Sequence, residues 1–385
     1  MKTEDVIRKE ISLGEDSSRQ FKEKLNNAVQ VAVEMCAMSN SAGGTIYVGV
    51  KDNNTIAGLT TAELHTYNQY VSAAASEHIK PAIYPHTQTL ELDGKLILLI
   101  EVSEGFAKPY SDKDGIYWVK SGSDKRKASP QELLRLFQES AQINLDETAT
   151  AAKSDEIDLA KFYTFFEKLK GQEFSASGLK LEQVLTNMNL VKEGKLTLGG
   201  LLLFGSNVQG IKPYCLIRAV AYFGNEISDN SYSDKRDCIG TVEEQFRGAM
   251  SFLKNNLSAI QTGASFNSQA KLEIDERALE EAVVNAILHR DYSKNAVIRL
   301  FIFKDRLEII SPGSLPNHLT IENIKNGNSV MRNPLLASYG TKILPYTGIG
   351  SGVPRIVKNH PETELINDKD GEQFIIRLMR PLKKA

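Results

Sequence analysis

Glu281, Asn285 and His289 recur four apart within ERALEEAVVNAILH, so a helix would put them in one polar stripe beside the apolar face of Leu279, Ala282, Val283, Ala286 and Ile287. A carboxylate and a carboxamide so spaced can polarise a water and give one oxygen to Mg²⁺, a hard cation that completes its shell with phosphates and waters. Downstream, TGIGSGV sets Gly348, Gly350 and Gly352 at alternate positions just before the apolar-periodic PRIVKNH. Backbone without side chains lets N–H groups approach phosphate oxygens, and a helix N-terminus adds a favourable dipole. Near the other end of the chain, Lys22, Lys24 and the loop Lys120-Ser121-Gly122-Ser123-Asp124-Lys125-Arg126-Lys127 gather cations among small residues. Such a loop can offer amides to phosphates and release counterions on binding. Tyr117 and Trp118 precede it and could stack on bases, although at least one of two adjacent strand aromatics must face inward. Each feature alone also describes a solvated helix face, an ordinary turn or a charged hairpin loop, so order and spacing decide.

Several chemistries are set aside. The triplet His289-Arg290-Asp291 suggests a kinase catalytic loop, but Asn295 comes one residue early and no kinase glycine loop, VAIK-type lysine or DFG accompanies it. There is no G-x-x-x-x-G-K-[ST], which argues against a P-loop, and no H-E-x-x-H. Cys36, Cys215 and Cys238 are odd in number and widely spaced, against a disulfide framework or a Cys-rich zinc site. A net charge of −2 and an isoelectric point near 6.4 supply no bulk basic field, so nucleic-acid contact has to come from a local patch. With no charged-then-apolar leader and no apolar run near the roughly 20 residues that span a bilayer, a cytoplasmic protein off the membrane is expected.

The elements that must position these residues can be read from local chemistry. In the 385 residues, 41% hydrophobic and 24% charged, two or three domains are expected. Asn26 to Met38 is apolar almost all round, as a buried helix is, and Gly43-Gly44 stops it ahead of the β-branched strand TIYVGV and a turn over Lys51 to Asn54. TQTLEL and KLILLIEV flank Asp93-Gly94, the dipeptide that suits a tight hairpin because both turn positions need positive φ. GIYWVKSG reads as a strand, and Ser129-Pro130-Gln131-Glu132 opens a helix with an N-cap, a first-turn proline and a capping-box glutamate. Residues 1–138 make one α+β domain in this reading, 139–155 a linker, 156–205 a helical, winged-helix-like segment ending in LTLGGLLLFG, and 206–385 a C-terminal domain. The last contains a strand from Leu216 to Phe223, helices over Val242 to Leu257 and Glu276 to His289, and strands VIRLFIF and RLEII.

The order ALEEAVVNAILHRDYS, DRLEIISPGSLP, RNP and TGIGSGV closely resembles a family named for its likeness to the C-terminal part of the RecG helicase, over about Leu272 to Pro381, and follows the GHKL ATPase fold of gyrase, MutL and histidine kinases. That resemblance implies a GHKL-like α/β sandwich binding ATP and Mg²⁺. Asn285 would ligate the metal, Glu281 would position or activate water, Gly348 to Gly352 would wrap the phosphates, and His289, Ser311 and Gly313 would line the pocket. Ser311 stands where these enzymes place the aspartate that accepts from the adenine amino group; a hydroxyl accepts without the strength of a carboxylate. GEDSSRQFKEK, MSNSAGG, TIYVGV with Asp52, GIYWVKSGS and ASPQEL resemble the Schlafen AlbA-like domain, which implies nucleic-acid binding. The three acidic nuclease positions of Schlafen proteins map to Glu15, Gln20 and Asp52. A carboxamide at position 20 is a poorer ligand for Mg²⁺ or Mn²⁺.

The function expected is a regulator, similar to predicted transcriptional regulators, that binds DNA or RNA and ATP, with nucleotide occupancy modulating nucleic-acid binding or assembly; a homo-oligomer is compatible with this. Two alternatives stand beside it: a metal-dependent RNA endonuclease using Glu15 and Asp52, and a scaffold with a degenerate GHKL-like half.

Overall fold

The computed structural model describes residues 2–140, 144–228, 231–261, 270–316, 319–345, 348 and 350–381. The chain divides into two compact units, Met1–Ile143 and Asn144–Ala385. No described helix is long and apolar enough to cross a membrane.

In the first unit, helix α1 (Glu4–Ser12) precedes strand β1 (Arg19–Lys22), and α2 (Ala28–Asn40) leads to β2 (Gly44–Val48). Helix α3 (Thr61–Glu77) follows, then β3 (His86–Leu92), β4 (Lys95–Val102), the hairpin of β5 (Trp118–Ser121) and β6 (Asp124–Lys127), and α4 (Pro130–Glu139). The main sheet runs β1-β2-β4-β3, with β1 and β2 parallel and the other neighbours antiparallel. Both sheet faces are covered because the two central strands are apolar on both sides through their middle: Ile46, Val48, Leu98 and Ile100 pack on α2 and α3, while Tyr47, Ile97 and Leu99 pack with Ile7 and Ile11 of α1. Asp93 and Gly94 close the β3–β4 hairpin at φ of 52° and 71°, as the dipeptide requires. The Ser129 hydroxyl accepts from the Glu132 amide at 3.3 Å and the Glu132 carboxylate accepts from the Ser129 amide at 2.9 Å, so the capping box forms.

The second unit opens where a linker was expected. Residues 144–155 contain β7 (Ala149–Lys153) and a buried Asp146 whose Oδ2 accepts from the Leu336 amide at 2.9 Å. The polar, alanine-rich sequence hides this because a short strand completing a small sheet needs little apolar content of its own. Helices α5 (Leu159–Lys170) and α6 (Leu181–Asn187) and the hairpin β8 (Val191–Lys192) and β9 (Lys195–Thr197) follow in helix, helix, hairpin order, with β7 pairing to β9. LGGLLLF, expected in the hairpin, is instead the buried helix α7 (Leu198–Phe204), capped by Thr197, whose hydroxyl accepts from the Gly200 amide at 3.0 Å. A Cβ on Gly200 would stand 2.2 Å from the Leu190 carbonyl oxygen, so this position of the helix packs only as glycine. The segment is not a separate body: Phe162, Phe166, Leu202 and Phe204 belong to the same core as Ala282, Ile287, Leu300 and Ile309.

That core lies under a six-stranded sheet. Its members are β10 (Ile217–Tyr222), β11 (Tyr232–Cys238), β12 (Ile298–Ile302), β13 (Arg306–Pro312), β14 (Thr363–Asp368) and β15 (Gln373–Met379), in the order β11-β10-β12-β13-β15-β14. Helices α8 (Val242–Asn256), α9 (Glu276–Leu288), α10 (Pro334–Ile343) and α11 (Gly352–Asn359) contribute Phe252, Leu279, Leu336 and Ile356 to it. Only β10 and β12 are parallel, and the connection between them carries α8 and α9.

Candidate functional site

Helix α9 buries Ala278, Leu279, Ala282, Val283, Ala286 and Ile287 and turns the edge of its polar stripe into a cleft of roughly 850 Å³, part of it open to solvent. Asn285 and His289 line this cleft with Ser311 and Gly313 at the end of β13, and Gly350 and Gly352 at the start of α11. The carboxamide helix and the glycine turn therefore share one wall. The lining includes the apolar Ile309, Leu315, Phe374 and Ile376 and also Gly350, Ser351 and Gly352 at a helix N-terminus. Apolar side chains combined with a helix N-terminus suit a flat ring joined to an anion. Two glycines are needed there for space. A Cβ on Gly350, at φ +74°, would lie 2.2 Å from the Gly327 carbonyl oxygen; one on Gly352 would lie 2.8 Å from Asn285 Nδ2 and 2.9 Å from Glu281 Oε2.

The Asn285 Nδ2 donates back to the Glu281 carbonyl at 2.7 Å, which leaves the carboxamide oxygen as the group able to ligate a cation. Glu281 does not line the cleft. It sits behind Gly352, 5% exposed, paired to Arg355 at 2.8 Å, with Oε2 buried and without a hydrogen-bond partner. Burial pushes its carboxyl upward against the opposing pull of Arg355. Gly348, at φ +73°, likewise stands outside the described wall. The Ser311 hydroxyl donates to the Ala286 carbonyl at 3.0 Å, so toward a ligand it can only accept. Burial, helped by the neighbouring Arg332 guanidinium, holds His289 down at about 4, a neutral imidazole.

Arg332 is a further site residue that the sequence reading does not single out, although its tripeptide RNP is one of the motifs that carry the resemblance. It lines the cleft and donates to the Ser314 carbonyl at 3.0 Å; Gly313 beside it, at φ +100°, must lack a side chain because a Cβ would lie 2.5 Å from the Asp291 Cβ as well as 2.6 Å from the guanidinium. The next residue, Asn333, is buried and donates to the Leu288 and Arg290 carbonyls at 2.9 and 2.8 Å, binding this wall to the end of α9. Arg290 itself is fully buried and donates to the carbonyls of Tyr214 and Ala296, so the HRD triplet is a structural clasp.

In the first unit, Asn40 clamps the β5–β6 hairpin over α2: its Nδ2 donates to the carbonyls of Tyr110 and Trp118 at 2.7 and 2.9 Å. Trp118 turns inward, its ring N–H on Asp112 at 2.7 Å, and Tyr117 lies against Phe137. The clamped hairpin brings Lys120 and Lys125 to Lys22 of β1. Lys120 Nζ donates to Gln20 Oε1 at 2.8 Å and to the Ser123 carbonyl at 2.6 Å; Lys125 pairs with Glu34 of α2 at 2.5 Å, and Lys22 lies 3.8 Å from the same carboxylate. Gln20 in turn donates to Glu15, which also accepts from the Phe21 amide at 2.6 Å. The other expected contact residues are elsewhere engaged or simply exposed: Lys24 pairs with Glu63, Arg126 with Glu132, and Ser121 and Lys127 are open to solvent. Asp52 lies on the exposed turn after β2. Among the described residues no three His, Cys, Asp or Glu side chains gather closely enough to hold a metal ion. Glu34 is a further candidate that the sequence reading does not single out; the available signal is an acid in the middle of a mostly apolar helix.

Residues 15–129 match the family "Schlafen, AlbA_2", and residues 295–376 match "Putative ATP-dependent DNA helicase recG C-terminal". The lysine cluster lies inside the first match; in the cleft, Ser311, Arg332, Gly350 and Gly352 lie inside the second, and Glu281 and Asn285 just before it. None of the curated proteins matches the chain. Among solved structures, the DIP2311 protein from Corynebacterium diphtheriae is 21% identical, the match covering 94% of this chain and 75% of that one at a TM-score of 0.49. The N-terminal domain of the "Putative ATP-dependent DNA Helicase RecG-related Protein" from Nitrosomonas europaea is 20% identical, over 34% of this chain and 95% of that one, at 0.23.

Proposed function

We propose that this chain, which carries a Schlafen AlbA_2 domain and a RecG C-terminal-like domain, is a regulator that binds ATP with Mg²⁺ in the α9–α11 cleft and nucleic acid through the lysine cluster of its first unit. The observation that carries this reading is the shared wall of Asn285, Ser311, Gly350 and Gly352. The residues fit the ligand: the apolar lining takes the base with Ser311 accepting from its amino group, the Gly350–Gly352 backbone takes phosphate oxygens, Asn285 gives its oxygen to the metal, and Arg332 adds a cation. Bound Mg²⁺ would neutralise phosphate charge; Glu281, buried behind Gly352 and tied to Arg355, orders the first turn of α11, and this favours binding and release over rapid turnover.

Occupancy has a physical route out of the cleft. Arg332 and Asn333 lead directly into α10, whose Leu336 amide is held by Asp146 close to the start of the unit. A shift of this wall on binding therefore bears on the chain where it enters from the first unit. Titrating a labelled oligonucleotide with and without saturating ATP and Mg²⁺ tests the coupling: the affinity should change by about fivefold or more. An unchanged affinity, with ATP shown to be bound, contradicts it.

A further inference from the structure

We propose that Glu34 is an internal counter-ion that occupies the lysine cluster in place of a nucleic-acid phosphate and thereby sets the first unit's affinity for polyanions. The inference rests on the reading above that Lys22, Lys120 and Lys125 face the nucleic-acid backbone. Glu34 projects from an otherwise apolar stretch of α2 and is 5% exposed. Its Oε1 takes Lys125 at 2.5 Å and has Lys22 at 3.8 Å, while its Oε2 is buried with no hydrogen-bond partner.

A carboxylate placed to stabilise packing would satisfy both oxygens, since a buried unpaired acceptor is costly. Here one oxygen is left bare beside a set of cations, which is where a second anion competes for the same donors. Lys120 meets only neutral acceptors, Gln20 Oε1 and the Ser123 carbonyl, so its charge is not matched by a direct ion pair. Counting the groups that face one another, three ammonium groups stand against Glu34 and, through Gln20, Glu15. A phosphodiester reaching Lys120 must therefore draw Lys125 and Lys22 away from Glu34 and work against the repulsion of that carboxylate. The acid lowers affinity for any polyanion and reserves tight binding for a ligand that engages all three lysines at once, which gives discrimination by an unfavourable element rather than an extra contact.

The test uses the full chain and a fluorescent single-stranded oligonucleotide, with affinity followed across a salt series. Glu34→Gln keeps the shape and removes the charge; it should bind roughly tenfold tighter, with a salt slope steeper by about 0.7 for each lysine released to a phosphate. The gain should vanish when Lys22→Gln and Lys125→Gln are added. If Lys120→Gln and Lys125→Gln weaken binding but Glu34→Gln binds like the unaltered chain or worse, Glu34 is only an anchor for the hairpin and the inference is wrong. If neither lysine variant changes affinity, the nucleic-acid face itself is wrongly placed. Should Glu34→Gln misfold by circular dichroism, Glu34→Asp, which withdraws the charge from Lys125, should still give about a threefold gain, and no gain overturns the proposal.

Discussion

Gly352 takes part in an ordinary helical first turn, so its lack of a side chain answers a demand for space rather than for backbone conformation. In Gly352→Ala the new Cβ would meet Asn285 Nδ2 at 2.8 Å and Glu281 Oε2 at 2.9 Å, about 0.6 Å inside normal contact. Neither side chain can swing away cheaply, because Asn285 is bonded to the Glu281 carbonyl and Glu281 to Arg355. Overpacking of this kind costs about 1–3 kcal/mol, which α11 can relieve by shifting outward. Alanine in a helix returns up to about 1 kcal/mol against glycine, so the net loss of stability should be small, about 2 kcal/mol at most. The ligand, however, needs the original spacing between the α11 amides and Asn285, and restoring it transfers most of that cost to binding. Titration calorimetry with ATP and Mg²⁺ should show affinity reduced by about 5- to 100-fold while the thermal transition moves by only a few degrees. Binding within twofold of the unaltered protein would refute the placement of the phosphates at this helix end.

Ser311→Ala removes the acceptor and leaves the Ala286 carbonyl unpaired; the second unit should lose about 1–2 kcal/mol in urea unfolding, and the preference for ATP over GTP should fall about fivefold by calorimetry. In Gly200→Ala the added methyl meets backbone, not a flexible tip, so despite helix propensity the urea midpoint should drop by the equivalent of about 2 kcal/mol or more. Burial raises the Asp146 carboxyl from 3.8 to about 6, so the folded state holds its proton more tightly than the unfolded chain does. Its contribution is therefore most favourable below pH 4 and is lost as pH rises through 6: relative to Asp146→Asn, the unaltered protein should lose up to about 3 kcal/mol between pH 4 and 7, whereas a pH-independent difference would contradict the raised value.

What could be read in the sequence was what local chemistry decides. The apolar run of α2, the Asp93-Gly94 turn and the Ser129 to Glu132 cap each carry their signal within a few residues, and all three formed as read. The joining of Asn285 to Gly350 and Gly352 was legible only through the order of motifs, because nothing local says that distant segments share a wall. What escaped depends on partners far along the chain. Leu198–Phe204 looked like hairpin because its glycines suggested a turn, yet they accommodate Leu190 and Leu335. Asp146 sat in a polar stretch, and only its bond to Leu336 shows that the stretch is part of the unit. Arg332 and Glu34 are single charged residues in otherwise uncharged stretches of sequence, and their meaning comes from the walls around them. Glu281 was expected in the cleft because its spacing matches Asn285, but one helical turn was enough to carry it behind Gly352.

The most direct test of the account is the thermal unfolding of the full chain with and without ATP and Mg²⁺, repeated on Asn285→Ala. A ligand present at a hundred times its dissociation constant stabilises the native state by about 2.7 kcal/mol, which in a unit of this size raises the transition by roughly 5–10 °C. That rise should appear in the unaltered protein and fall to a third or less in the variant. Equal rises in both, or none in the unaltered chain, would contradict a nucleotide held between α9 and α11.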